Sequence, residues 1–195
     1  ILSSHHTEAS WDRYQKNVAD ARLEIGRDAP EIDYCAGWHD HPLFIQTWCE
    51  LIREGFAGIA LEQHPAAPLV FTAHSVPVSM ANQSSYVEQL EITARCVAEK
   101  IGHNNWSIAY QSRSGKPSDP WLEPDINDAI EELSKQGVKG VVIVPLGFVS
   151  DHMEVVWDLD TEALETCANL GLAATRVPTP GTHRKFVNGM VDLIS

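Results

Sequence analysis

Apolar residues follow two alternating rhythms along this chain. Short, largely apolar runs mark strands buried on both faces. They occur at Leu69-Val-Phe-Thr-Ala73, at Trp106-Ser-Ile-Ala-Tyr110, within Val138 to Leu146 and from Leu172 to Val177. The Val141-Val-Ile-Val144 stretch is the clearest of them. Between the runs, apolar positions recur at helical spacing. Ser85-Tyr-Val-Glu88 reads as a capping box opening a helix that reaches about Ile101 and stops at Gly102. Pro124 can take the first helical position ahead of Ile126, Ala129, Ile130 and Leu133, in a helix ending before Gly137. Further helices are predicted from about Asp151 to Leu170 and from Thr182 to Ile194.

The first third is also α/β in character. Helices are expected at Glu8 to Ile25 and at Pro42 to about Leu61, with a short extended piece near Ile32. Residues 1–65 read as an entry segment from something upstream, and residues 66–195 as the main domain. Strand–helix alternation with short links predicts an α/β fold: a parallel sheet flanked by helices on both faces. Ligands of such sheets bind at the carboxyl ends of the strands, so candidate chemistry is sought there.

Composition narrows the function classes. The 195 residues carry a formal net charge of -13 with 44% apolar and 21% charged residues, ordinary for a globular protein except for the acidity. That charge argues against a phosphate-backbone partner, and no nucleic acid is expected. No apolar run reaches the roughly 20 residues of a membrane span. The opening Ile1-Leu-Ser-Ser-His-His lacks a signal-peptide pattern and does not begin with Met, so residues upstream and a cytoplasmic location are expected. Cys35, Cys49, Cys96 and Cys167 show no C-x-x-C spacing and are expected to be reduced thiols.

Two places at the carboxyl edge could carry chemistry. His74 follows the first strand, where a neutral imidazole can serve as base or metal ligand, or simply bond its loop neighbours. Phe148-Val-Ser-Asp-His-Met-Glu154 follows the third strand and opens a helix. On that helix Glu154, Asp158 and Glu162 are spaced i, i+4, i+8 and share a stripe with Glu165. Val155, Val156, Leu159, Ala163 and Cys167 form the face expected to be buried. The stripe fits a solvated face, but no Lys or Arg lies between Asp151 and Leu170 to offset repulsion. A compensating cation is therefore called for. Imidazole nitrogen with carboxylate oxygen suits a borderline divalent ion such as Fe²⁺. In the loop Gln111 to Glu123, Trp121 offers a flat apolar surface to a ligand or plugs the loop onto the domain.

Three stretches resemble the ferrochelatase family. Phe71-Thr-Ala-His-Ser-Val-Pro77 is similar to the F-S-A-H-S-x-P segment with its catalytic histidine. Gln111-Ser-Arg-Ser-Gly115 and Pro120-Trp-Leu-Glu-Pro124 resemble the loop beside the porphyrin. Pro145-Leu-Gly-Phe-Val-Ser-Asp-His-Met-Glu-Val-Val-Trp-Asp158 resembles P-x-x-F-x-S-D-H-x-E-x-L-Y-D. Trp38 to Gln46 is similar to the segment between the family's two domains. The resemblance implies a chelatase-like, periplasmic-binding-protein-like domain, one of two with a porphyrin cleft between them. It implies an enzyme, a lyase that inserts ferrous iron into protoporphyrin IX or coproporphyrin III in haem biosynthesis.

By motif position His74 and Glu154 take catalytic roles. His74, Glu154, Asp158 and Glu162 contact the metal, and Ser112, Trp121, Tyr86 and Trp38 line the porphyrin cleft. Iron is substrate, and no cofactor is expected. Some relatives bind a [2Fe–2S] cluster, but Trp11 stands roughly where one bacterial group places an upstream cluster cysteine, so no cluster is expected. The expected partners are porphyrin, ferrous iron and an N-terminal domain of the same protein; peripheral membrane contact stays open. A cobalt or nickel chelatase and a non-catalytic porphyrin- or metal-binding domain are the competing readings. His74 and Glu154 are expected to face one cleft, with Trp121 on its rim and the Asp158–Glu162 stripe leading away.

Overall fold

The computed structural model describes residues 3–58, 67–116 and 118–195. Its centre is a four-stranded, all-parallel sheet in the order β2-β1-β3-β4: β1 Leu69–His74, β2 Trp106–Gln111, β3 Gly140–Val144 and β4 Ala173–Arg176. The expected α/β architecture is the observed one. Side chains alternate across a strand, and the sequence fills both faces with apolar groups. Leu69, Phe71, Val142 and Val144 face one core with Phe44, Trp48, Ile52 and Val97. Val70, Val141 and Ile143 face a second core with Ile126, Ile130, Val155 and Leu159.

The helices divide accordingly. α2 (Pro42–Gly58), α4 (Tyr86–Ile101) and α8 (Arg184–Ile194) supply the first core. The second core takes α5 (Ile126–Lys135), α6 (Met153–Val155), a π-helical segment (Val156–Ala163) and α7 (Leu164–Asn169). α3 (Val78–Ala81) is a single turn after β1. α1 (Arg13–Ile25), preceded by a π-helical turn at Glu8–Asp12, buries none of its residues.

Several local expectations differ from the structure. Ser85 makes no side-chain cap bond at the start of α4, because its backbone (φ -83°, ψ 11°) lacks the extended geometry that aims a capping hydroxyl at the helix. The reciprocal box forms instead between Thr7 and Ser10. α5 begins at Ile126 rather than Pro124, capped by Asp125, whose carboxylate accepts from Asn127 N at 2.8 Å. The chain near Ile32 runs without regular secondary structure and pairs with no strand among the described residues. The expected end of α2 near Leu61 and the boundary at 65/66 lie outside the described residues.

The predicted helix from Asp151 to Leu170 is broken into α, π and α pieces, and Val156, at the first π-helical position, is exposed rather than buried. The i→i+5 bonding of a π-helix widens the turn, so apolar spacing tuned to the α-helix loses register there.

β1 and β3 lie side by side, and this adjacency controls the site. Beyond β3 the Gly147 N–H donates to the Thr72 carbonyl at 2.9 Å. A Cβ on Gly147 would stand 2.7 Å from the Ala73 Cβ, closer than packed atoms come. Glycine is what lets the chain leaving β3 press against the last turn of β1.

The N-terminal segment is fastened to α4 by a buried histidine. His5 Nε2 meets Thr93 Oγ1 at 3.0 Å, its Nδ1 meets Ser4 Oγ at 2.9 Å, and the His6 N–H donates to Gln89 Oε1 at 2.8 Å. Burial, with His39 and His6 nearby, pushes His5 down to about 3; burial and His39 also lower His6, partly opposed by Asp12. The unfolded chain binds a proton at His5 near pH 6.5, whereas the folded chain resists it until about 3. Stability from this site is whole above 6.5 and drains as pH falls through that window, at roughly 1.4 kcal/mol per pH unit for one proton. Denaturant unfolding at pH 7.0, 6.0 and 5.0 should show this slope. His5→Gln should flatten it while lowering stability at pH 7; an unchanged slope would remove His5 from the account.

Candidate functional site

Each strand end delivers one part of the site. β1 ends on His74 and β2 on Gln111, and the two are in register. The following residue, Ser75, is buried and held at both ends. Its N–H donates to the Gln111 carbonyl at 2.8 Å and its hydroxyl to the Leu122 carbonyl at 2.9 Å. The Ser75 carbonyl lies 2.5 Å from His74 Nδ1. A carbonyl can only accept, so Nδ1 carries the proton and Nε2 of the neutral ring keeps its lone pair. That Nε2 stands 3.9 Å from Glu154 Oε2, and both side chains are part-exposed, 36% and 56%.

Glu154 is placed by the turn after β3. His152 caps α6 through Nδ1, which accepts from Val155 N at 3.5 Å. Val155 is fully buried against the sheet, which fixes Glu154 one residue earlier, on the open side. Asp151 and Asp160 are both bound by Arg176 at the end of β4: Nη1 reaches Asp151 at 3.0 Å, and Nε reaches Asp160 at 2.7 Å with Nη2 on its second oxygen. These carboxylates, with the hydrogen bonds that Arg176 donates to Asp160 as the main cause, raise the Arg176 pKa further. The cation missing from the helix sequence therefore arrives from a strand, and it neutralises acids beside the stripe rather than in it.

Within the stripe, Asp158 accepts from Ser112 Oγ in a short bond and from Gln111 Nε2 at 3.3 Å. Ser112 reaches it from a left-handed backbone (φ 60°), an uncommon conformation for a residue with a Cβ. Glu162 Oε1 accepts from Trp157 Nε1 at 3.0 Å, a contact five residues apart that follows the π-helical turn. None of Glu154, Asp158 and Glu162 pairs with Lys or Arg among the described residues. No three His, Cys, Asp or Glu side chains there form a ready-made metal cage. The wide π-helical turn brings positions four apart nearly into line, so the stripe survives the break in α-helical geometry.

The remaining residues named from sequence take different places. Trp121 is bridged to Pro77, three residues beyond His74, and lies under Gly115, whose added Cβ would meet its ring at 3.3 Å. Tyr86 is buried, its hydroxyl donating to the His74 carbonyl at 2.8 Å. Trp38 is buried too, edge-on to Phe44 with centroids 5.0 Å apart, and borders a cavity of about 230 Å³ with Trp11, Tyr14 and Tyr34. The structure thus pairs His74 with Glu154 and Ser112 with Asp158, holds Trp121 against Pro77 and Gly115, and sets Trp38 into the first core. Sequence reasoning did not single out Ser75, Gln111 or Arg176. Arg176 left one signal, a charged residue at the end of an otherwise small, apolar strand.

A histidine lone pair beside a carboxylate, at the open edge of a parallel sheet and followed by a line of acids, defines a site suited to moving protons and cations. The sequence comparisons agree with this class. The family model described as ferrochelatase matches residues 1–195, and the chain belongs to that family. The chain is 43% identical to the coproporphyrin III ferrochelatase of Leifsonia xyli subsp. xyli, over 98% of this chain and 56% of that protein. It is 41% identical to the coproporphyrin III ferrochelatase of Mycolicibacterium smegmatis, over 93% of this chain and 54% of the relative. The ferrochelatase of Rhodopirellula baltica is 41% identical, over 93% and 52%. The chain spans about half the length of the curated relatives it matches.

Arg176 makes charge-assisted bonds from a side chain only 12% exposed. Arg176→Gln should cost about 2 kcal/mol in denaturant unfolding, because two acids lose their shared partner. Asp160→Asn should then cost less on the Arg176→Gln background than alone. Strictly additive losses would show that the pair is not coupled.

Proposed function

We propose that this chain supplies the histidine–carboxylate half of a ferrochelatase that inserts Fe²⁺ into a porphyrin during haem biosynthesis. The observation that carries the reading is His74 Nε2, unprotonated in the neutral ring, at 3.9 Å from Glu154 Oε2. Metal insertion requires removal of two pyrrole protons, and a base acts only within hydrogen-bond reach or through one water. His74 Nε2 accepts one pyrrole proton and passes it through the Glu154 carboxylate to solvent, which restores the lone pair for the second. Asp158 and Glu162 continue the acidic line by which a divalent ion sheds water and reaches the macrocycle. Ser112 and Trp121 border the macrocycle, and the cleft is closed by the other half of the full-length protein.

Coproporphyrin III is the proposed substrate, because the named relatives from Leifsonia and Mycolicibacterium act on it by name. Iron enters this reading as substrate. Cys49 and Cys167 are buried in separate cores and Cys35 is exposed, and a resident iron–sulfur cluster is not part of this reading. Among the described residues no helix is long and apolar enough to cross a membrane, and a cytoplasmic enzyme is the reading adopted.

The test is insertion of Fe²⁺ by the full-length protein. Coproporphyrin III should outrun protoporphyrin IX and Fe²⁺ should outrun Co²⁺ and Ni²⁺. His74→Ala should lose about 10²- to 10⁴-fold in kcat, the usual span of a general base. His74→Ala turnover within a few-fold of the parent would overturn the assignment.

A further inference from the structure

We propose that Tyr86 and Ser75 are positioning residues that fix His74 as its Nδ1–H tautomer, with the Nε2 lone pair aimed at Glu154. The proposal rests on His74 being the base of the reaction proposed above. Its grounds are three polar contacts on two adjacent peptide groups. The Tyr86 hydroxyl holds the His74 carbonyl at 2.8 Å. The Ser75 carbonyl takes the Nδ1 proton at 2.5 Å. Ser75 is anchored in turn at its N–H by Gln111 and at its hydroxyl by Leu122. The carbonyl that selects the tautomer is therefore not free to rotate unless one of these bonds gives.

Tyr86 is built for this task. It is the first residue of α4, and its ring is buried with Ala73, Leu90 and Tyr110. Its hydroxyl is thus aimed by the core rather than by solvent. Burial, reinforced by Tyr110, raises its pKa, so it stays a donor throughout the working range. His5, which fastens the N-terminal segment to α4, lies edge-on to the Tyr86 ring at 6.5 Å. An imidazole in water interconverts its two neutral tautomers. Placing the proton on Nε2 would turn the base into a donor facing Glu154, useless for accepting a pyrrole proton.

The test is nitrogen-resolved NMR of the histidine rings in the isotopically labelled full-length protein, in alkaline buffer where free imidazoles are neutral, with His74→Ala assigning its signals. The Nδ1–H form should dominate in the parent. Tyr86→Phe keeps the buried ring and removes only the hydroxyl. It should bring the Nε2–H form to a comparable population and lower kcat about 10-fold, with KM for the porphyrin unchanged, as expected when a reacting group is loosened rather than removed. Ser75→Ala, a second route to the same scaffold, should shift the ratio in the same direction. An unchanged tautomer ratio in both variants overturns the proposal, and so does a fall in kcat with the ratio intact. Retained turnover in His74→Ala would instead overturn the functional reading, a separate result, since the tautomer ratio is read without turnover.

Discussion

The contact between the ends of β1 and β3 is the constraint on which the site depends. Glu154 and His74 are far apart in sequence, and nothing local brings them together. The Gly147 N–H bonds the Thr72 carbonyl, and the absence of a side chain at Gly147 lets that peptide lie against Ala73. From that point the chain needs only a short turn to start α6, and the first buried side chain of the helix, Val155, sets which way Glu154 faces. The two apolar cores on either side of the sheet keep the ladder rigid, so the strand ends cannot drift apart. A base and a carboxylate at loop tips would lack this precision.

Electrostatics around the site follow a division of labour. Arg176 takes Asp151 and Asp160, the acids that flank the working ones, and ties the first turn of the helix to β4. Asp158 is steadied by neutral donors from the end of β2, which orient it without cancelling its charge. Glu154 and Glu162 are exposed residues. The proposed function, attracting a cation, calls for carboxylates left unpaired by Lys or Arg, and the large negative net charge of the chain works in the same direction.

Much of this was legible in the sequence because strands buried on both faces leave continuous apolar runs. All four strands overlap the runs that predicted them, and the candidate site draws on the last residue of β1 and on the helix that follows β3. What was not legible has physical reasons. The π-helical segment depends on where one extra residue is accommodated in a helix, which apolar periodicity does not encode, and Val156 changed faces for that reason. The Ser85 box matched in residue type but lacked the backbone angle a cap requires. Tyr86 and Trp38 were assigned to the porphyrin by motif position, but burial puts Tyr86 behind His74 and Trp38 against Phe44. Arg176 acts across two elements, so no local pattern around Asp151 or Asp160 could announce it.

The account rests on His74 Nε2 and the Glu154 carboxylate addressing the same macrocycle from one side. A crystal structure of the full-length protein with a metal-free porphyrin bound tests this directly. The account predicts a pyrrole nitrogen within hydrogen-bond or one-water reach of His74 Nε2, with Glu154 on the same face of the ring and the Asp158–Glu162 line leading away from it. A porphyrin seated elsewhere, or one whose nitrogens face neither side chain, would contradict it.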